Sequence, residues 1–429
     1  MMDTMRKLLS AKVGPLPLAL YAILFALVFF AASIGRLPND MIGGFAMIMV
    51  LGWILGEVGM RTPVLRNIGG PAILSLFVPS ILIFHGLLSK PALDAITAVM
   101  KTDNFLYLYI ACLVCGSVLG MNRRILVQGF LRMAIPLLVG EIVTIATGVG
   151  VGMLFGFRPH HTFFYIIIPI IGGGIGEGIL PYSLAMAEIL ARPQADFIPQ
   201  LIPAAMLGNL FAIVSSGCMK RFGEKRPEFS GSGLLVRTGE DRELLAQAAH
   251  EKPVEFSLMG AGLLLACCFF ILGNTVNRYI GIPGPIIMIF SAALVKYSRL
   301  MPEKMEQGAY HMYRFIATNL TWPLLVGLGA LYVPWGQVVA AVTPAYVVIC
   351  LSAVIAMWAS GFVVGRLLGM YPVEAAIVTG CHTGLGGTGD VAILSASNRI
   401  GLMPFAQAAT RLGGALMIVL ATVLLKFWH

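Results

Sequence analysis

Apolar residues fill this chain in long blocks, and the polar residues between them are few and clustered. A bilayer crossing takes about 20 mainly apolar residues. Windows of that length predict spans at 15–34, 41–56, 70–88, 104–120, 133–156, 198–218, 255–274, 283–299, 313–333, 338–365 and 403–426. Two further apolar stretches, 162–190 and 371–398, hold too many glycines for ordinary spans and read as re-entrant hairpins. The expected fold is an all-α polytopic membrane protein, with about eleven transmembrane helices and two re-entrant helical hairpins.

Composition agrees. Of 429 residues 58% are apolar and 11% charged, whereas soluble domains carry about 25% charged residues. Little chain is left for a soluble domain. A net charge of +9 could suit nucleic acid, but cytoplasmic loops of membrane proteins collect Lys and Arg, and no nucleic-acid partner is expected. With the N-terminus in the cytoplasm, the inside segments hold twenty basic residues against seven outside. The N-terminal basic stretch leads into a full span without a small-residue cleavage site, so no signal peptide is expected. Cys112 and Cys115, in LYIACLVCGSVLG, read as small helix residues one turn apart rather than a redox or metal pair, and the seven cysteines suggest no disulfide framework.

The spans group into two sets. Setting aside residues 1–40, the spans of 41–218 start outside and those of 255–429 start inside, five in each set. The two sets therefore run in opposite directions, each with its hairpin between its fourth and fifth span. Inverted repeats with paired broken helices are the sequence mark of a secondary transporter. The first hairpin would enter from outside and the second from the cytoplasm, with tips able to meet near the midplane. Residues 219–254 read as a cytoplasmic linker, since their Gly, Ser and charged residues form no core. Residues 300–312 are expected along the cytoplasmic surface.

The chemistry concentrates in the hairpins. Gly173-Gly174-Ile175-Gly176-Glu177 and Gly386-Gly387-Thr388-Gly389-Asp390 are two copies of Gly-Gly-x-Gly-acid. Neither follows a soluble strand or carries the Lys-Ser/Thr of a phosphate loop. Close helix packing by small residues explains the glycines, but not an acid at the same offset twice. A broken helix frees N–H groups at one half-helix start and carbonyls at another's end. The N–H ends suit a carboxylate. The carbonyls, with Asp390, Glu177 and the hydroxyls of Thr388, Ser183, Ser395 and Ser397, suit a small hard cation. Arg399 and Arg411 flank the second hairpin. Arg411, inside the last span, is expensive there and would form a planar fork for a carboxylate. The expected substrate is an organic anion. Glu141 is a further buried acid, either ion-coupling or paired with a base. His382 could serve substrate, proton or packing. Glu57 reads as interfacial, and His160 and His161 as solvated. No metal-ligand cluster or nucleophile–base pair suggests an enzyme, and no charged pore ring suggests a channel.

These residues resemble the 2-hydroxycarboxylate transporter family of bacterial symporters and exchangers. The resemblance runs from about Pro15 to Phe427 and is carried by PIIGGGIGEGILPYS, GGTGDVAILSASNRI and PFAQAATRLGGA, with GGPAIL at 69–74 and GMNRR at 120–124. It implies transport of malate, citrate or similar acids driven by sodium ions or protons, with no other cofactor. It also implies a multi-pass homodimer in the bacterial inner membrane, in which the hairpin-bearing part moves like an elevator. Substrate contacts would fall at Gly174, Ile175, Gly176, Gly387, Thr388, Gly389 and Arg411, and the coupling cation at Asp390, Glu177 and Ser395. This chain departs from the citrate–sodium members in three places. Ile175 stands for an asparagine, Leu385 for an arginine, and Glu177 for a small neutral residue. One arginine fewer leans the expectation toward a dicarboxylate such as malate, and the extra carboxylate leaves sodium and proton coupling both open.

Overall fold

Lipid offers the backbone no hydrogen-bond partner, so a chain this apolar must pair its N–H and C=O groups within helices. A computed structural model describes residues 12–66, 70–120, 130–237, 253–280 and 284–428, and these are almost all helical. The exception is a two-residue ladder, β1 (Lys12–Val13) against β2 (Leu16–Pro17). The helices are α1 (Leu18–Ser33), α2 (Met41–Arg61), α3 (Gly70–Phe84), α4 (Lys90–Thr97), α5 (Phe105–Gly120) and α6 (Phe130–Leu154). The first hairpin is α7 (Pro159–Ile171) and α8 (Leu180–Leu190), α8 being entered through a π turn at Ile175–Ile179. Then come α9 (Ile198–Lys225), α10 (Phe256–Ile280), α11 (Gly284–Ser298), α12 (Glu303–Leu331), α13 (Trp335–Ala341) and α14 (Pro344–Leu367). The second hairpin is α15 (Pro372–Cys381) and α16 (Gly387–Ala396), and α17 (Phe405–Trp428) closes the described chain.

The predicted span windows are largely helical among the described residues. Among the described residues six helices are long and apolar enough to cross a bilayer alone, and Lys90–Thr102 with Phe105–Gly120, bent by 50°, makes a seventh. The bend sits at Asn104, whose φ of 52° is left-handed and cannot continue a right-handed helix. Large apolar residues such as Ile23, Leu27 and Phe30 of α1 point outward, as lipid contact requires.

Four expectations change. The window 338–365 is broken, because Pro344 has no N–H to continue a helix; Thr343 caps the new start through the Tyr346 N–H at 3.3 Å. Residues 303–312 are not a separate segment but the first turns of α12, with Glu303, Lys304 and Met305 exposed. The linker is not all linker: 219–225 complete α9, and 230–237 pack onto the base of the second hairpin, with Leu235 fully buried. His160 is half-buried against the rings of Phe164 and Trp428 rather than solvated. Arg6, Lys7, Arg123, Arg124, Arg242, Lys252 and linker residues 238–252 lie outside the described residues.

The chain forms two compact units. One comprises residues 12–109 and 315–340, the other 110–314 and 341–428. In the first, glycines let backbones approach: a Cβ on Gly52 would stand 2.5 Å from the Pro323 nitrogen. Trp53 Nε1 donates to the Asn319 carbonyl at 3.2 Å, and Tyr109 and Thr321 share a hydroxyl hydrogen bond of 2.7 Å. Small residues and interhelical polar bonds are what hold helices together in lipid. The second unit contains both hairpins, α9, α14 and α17.

Candidate functional site

Glycine decides the geometry of both tips. Gly173 and Gly174 have φ of 90° and 89°, and Gly386 has 75°, a region other residues enter only with strain. The two tips touch backbone to backbone. A Cβ on Gly174 would lie 2.2 Å from the Leu385 carbonyl carbon, and one on Gly386 would lie 2.9 Å from the Gly173 carbonyl oxygen. A helix starts just after each tip, at Ile175 and at Gly387. Each start leaves first-turn N–H groups without an intrahelical acceptor, the positive end of a helix dipole. Gly176, Glu177 and Gly387 are only half-buried, while Gly174, Ile175, Gly389 and Asp390 are buried.

A third element completes the cluster. Helix α17 passes the first tip so closely that a Cβ on Gly414 would sit 2.8 Å from Gly173 Cα. Its residues Ala409–Gly413 form a π turn, a local distortion common at functional sites. The turn carries Thr410 and Arg411 to the tips, both buried. Thr410 Oγ1 lies 3.0 Å from Asp390 Oδ1 and 2.8 Å from the Ala406 carbonyl, and its single hydrogen is shared between these two acceptors. Asp390 Oδ2 is buried with no hydrogen-bond partner among the described residues. Arg411 Nε faces Glu177 Oε2 at 3.6 Å. Its NH2 donates to the Tyr313 hydroxyl at 2.6 Å, with the guanidinium 4.8 Å from the centre of the same ring. The Tyr313 hydroxyl faces the Glu177 carboxylate as well.

The structure thus brings Gly174, Ile175, Gly176, Glu177, Gly387, Gly389, Asp390 and Arg411 into one place. The side chains of Thr388 and Ser395 lie outside the described part. Ser183 and Ser397 are turned to their own helices: Ser183 donates to the Leu180 carbonyl at 2.9 Å, and Ser397 to Ile393 at 3.2 Å. Arg399 is not at the tips. It ion-pairs with the fully buried Glu374 at 2.9 Å, and Glu374 also accepts from Ser230 Oγ at 3.0 Å and from the N–H groups of Gly231 and Gly233. Of the two flanking arginines, Arg411 alone reaches the site. Glu141 has a basic neighbour, His382, whose Nε2 lies 3.2 Å from its Oε1. The same imidazole packs on Gly413, where a Cβ would stand 2.8 Å from Cε1. The pair lies directly behind the Arg411 turn.

Three residues escaped the sequence reading. Asn209, buried in α9, accepts the Leu385 N–H at 3.1 Å and so holds the second tip. Its signal was available: an amide inside an otherwise apolar span is expensive unless bonded. Thr410 is a hydroxyl next to a flagged arginine. Tyr313 comes from α12, far from either motif in the chain, and nothing in its neighbourhood marked it.

Chemically, the cluster offers one guanidinium, two half-helix N-termini and a carboxylate with an unbonded oxygen. That is a place for an anion beside a place for a cation. A family model described as the 2-hydroxycarboxylate transporter family matches residues 13–423. The chain is 55% identical over 423 residues to a Na(+)-malate symporter of Bacillus subtilis (strain 168), spanning 99% of this chain and 94% of the relative. It is 40% identical over 424 residues to a citrate/malate-proton symporter of the same organism, with 99% and 94% covered. A citrate/sodium symporter of Salmonella typhimurium is 32% identical over 429 residues, with 97% and 95% covered.

Proposed function

The chain belongs to the 2-hydroxycarboxylate transporter family, and on that premise we propose that it is a malate symporter driven by sodium. It is a transporter rather than an enzyme. The observation that carries the substrate class is the buried Arg411 standing where two half-helix N-termini meet. Glu177 stands 3.6 Å from this guanidinium without a hydrogen bond to it, which leaves Arg411 donors for a substrate carboxylate, and N–H groups at a helix start supply further donors for a second one. One arginine at the tips, with Leu385 where the citrate–sodium members would place another, suits a dicarboxylate better than citrate. Substrate contacts fall to Gly174, Ile175, Gly176, Gly387, Thr388, Gly389 and Arg411.

Asp390 is the coupling carboxylate in this reading, with Ser395 nearby in the chain. Thr410 holds one oxygen, and a sodium ion on the other would remove the penalty of a buried unbonded carboxylate oxygen. A proton is the second reading for the ion. It is favoured by the extra carboxylate of Glu177 in the site and by the printed name of the 40% relative. The carrier works as an inverted-repeat homodimer in the bacterial inner membrane, N-terminus inside, with the paired hairpins crossing together in an elevator motion. Labelled malate uptake into proteoliposomes tests this, with sodium and pH gradients imposed separately and citrate, succinate and lactate as competitors. Sodium-driven uptake of malate is expected. Uptake that follows only the pH gradient selects the proton, and no uptake under either gradient ends the proposal.

A further inference from the structure

Two arginines of the second unit, the half-buried Arg399 and the buried Arg411, are held in different ways. Arg399 is saturated: Nε bonds Glu374 at 2.9 Å, NH2 bonds Ser230 at 3.0 Å, and NH1 reaches two backbone carbonyls. Its partner Glu374 is fully buried and bonded on both oxygens. That is a structural pair. Arg411 has five N–H donors like any arginine, yet among the described residues it makes one hydrogen bond, to Tyr313, and faces Glu177 across 3.6 Å. The Glu177 side chain keeps 12% of its surface exposed against 5% for Arg411. The Glu177 side chain is thus the slightly more exposed of the two. It neutralises the guanidinium without locking it.

A carrier doing net transport must recross the membrane without substrate. A buried arginine stripped of its anion opposes that step, because an uncompensated buried charge is strongly disfavoured. An exchanger never faces this step, since it always returns loaded. We propose that Glu177 is a built-in stand-in for the substrate carboxylate: it neutralises Arg411 in the empty site, allows the empty carrier to recross, and is displaced when substrate binds. In this chain Glu177 is then what lets net symport run beside exchange. This inference rests on the transport reading above.

Proteoliposomes test it by comparing two modes. Net uptake is measured into malate-free vesicles under a sodium gradient, and exchange into vesicles preloaded with unlabelled malate. In Glu177→Gln the ratio of net uptake to exchange is expected to fall by about tenfold or more, since only the empty return loses its counter-charge. The apparent Km for malate in exchange should fall as well, because an internal competitor for Arg411 is gone. Glu177→Asp should recover part of the net mode. The ratio is independent of how much protein folds. Glu177→Ala is the second variant, and if neither Gln nor Ala retains exchange, the loaded carrier needs the glutamate and the proposal is overturned. An unchanged ratio in both variants overturns it equally. Absence of both modes in the unsubstituted protein would instead sink the transport reading.

Discussion

Gly174 lies against Leu385 with no room for a side chain between them: a Cβ on the glycine would stand 2.2 Å from the leucine's carbonyl carbon, at a φ of 89°. Gly174→Ala must therefore both strain its own backbone and push the second tip away. Transport should fall by about tenfold or more, while Gly401→Ala, which meets nothing within 4 Å, should leave it near normal. Initial uptake rates normalised to inserted protein decide this. Equal rates for the two variants would remove the tip contact from the mechanism.

Arg411→Lys turns a planar fork into a point charge. The apparent Km for malate should rise by about ten- to a hundredfold, with a smaller effect on the maximal rate, because the interaction is with bound substrate. Unchanged Km in both Arg411→Lys and Arg411→Ala would refute the assignment of Arg411 to a substrate carboxylate.

Asp390→Asn keeps the side chain's size and its bond from Thr410, and removes the charge. Malate binding to the purified protein should lose its dependence on sodium concentration. Thr410→Val should weaken that dependence without abolishing it, since one hydrogen bond is worth about 1 kcal/mol. Calorimetric titration of malate at several sodium concentrations is the measurement. Full sodium dependence in Asp390→Asn, joined to loss of pH dependence in Glu177→Gln, would move the coupling to a proton.

Orientation is testable at two exposed residues. Arg192 lies just beyond the first hairpin and Asn398 just beyond the second. Single cysteines at these positions, in a background without the seven native ones, should react with an impermeant maleimide from opposite sides of the membrane, residue 192 from outside and residue 398 from the cytoplasm. Labelling of both from one side contradicts the inverted arrangement.

The spans and the tips were legible because their physics is local. An apolar block of the right length has few alternatives in water or lipid, and an acid among three glycines is expensive enough to be noticed. The symmetry between the acids misled in one respect. Glu177 and Asp390 hold equivalent places in their motifs, yet Glu177 faces Arg411 and Asp390 takes Thr410. The first tip leads into a π turn at Ile175–Ile179, whereas the second leads directly into an α-helix at Gly387, so equivalent motif positions do not face the same neighbours. Tyr313 and Asn209 were hidden for the opposite reason, since their roles depend on which helices pack together. The polar composition of 219–254 concealed the nest of N–H groups around Glu374. Composition reports solvation on average, whereas four donors on one buried carboxylate are a matter of placement.

The contact between the tips also has a genetic reading. Gly173 and Gly386 sit in opposite halves of the chain, yet a methyl on the second would press on the carbonyl of the first. Residues in direct contact do not add their effects. Damage at one tip has then already displaced the other, so a second lesion there has less left to spoil. The two motifs inherit as a single locus: substitutions surviving in one half depend on which residue stands in the other, and suppressors of a tip lesion belong on the facing backbone.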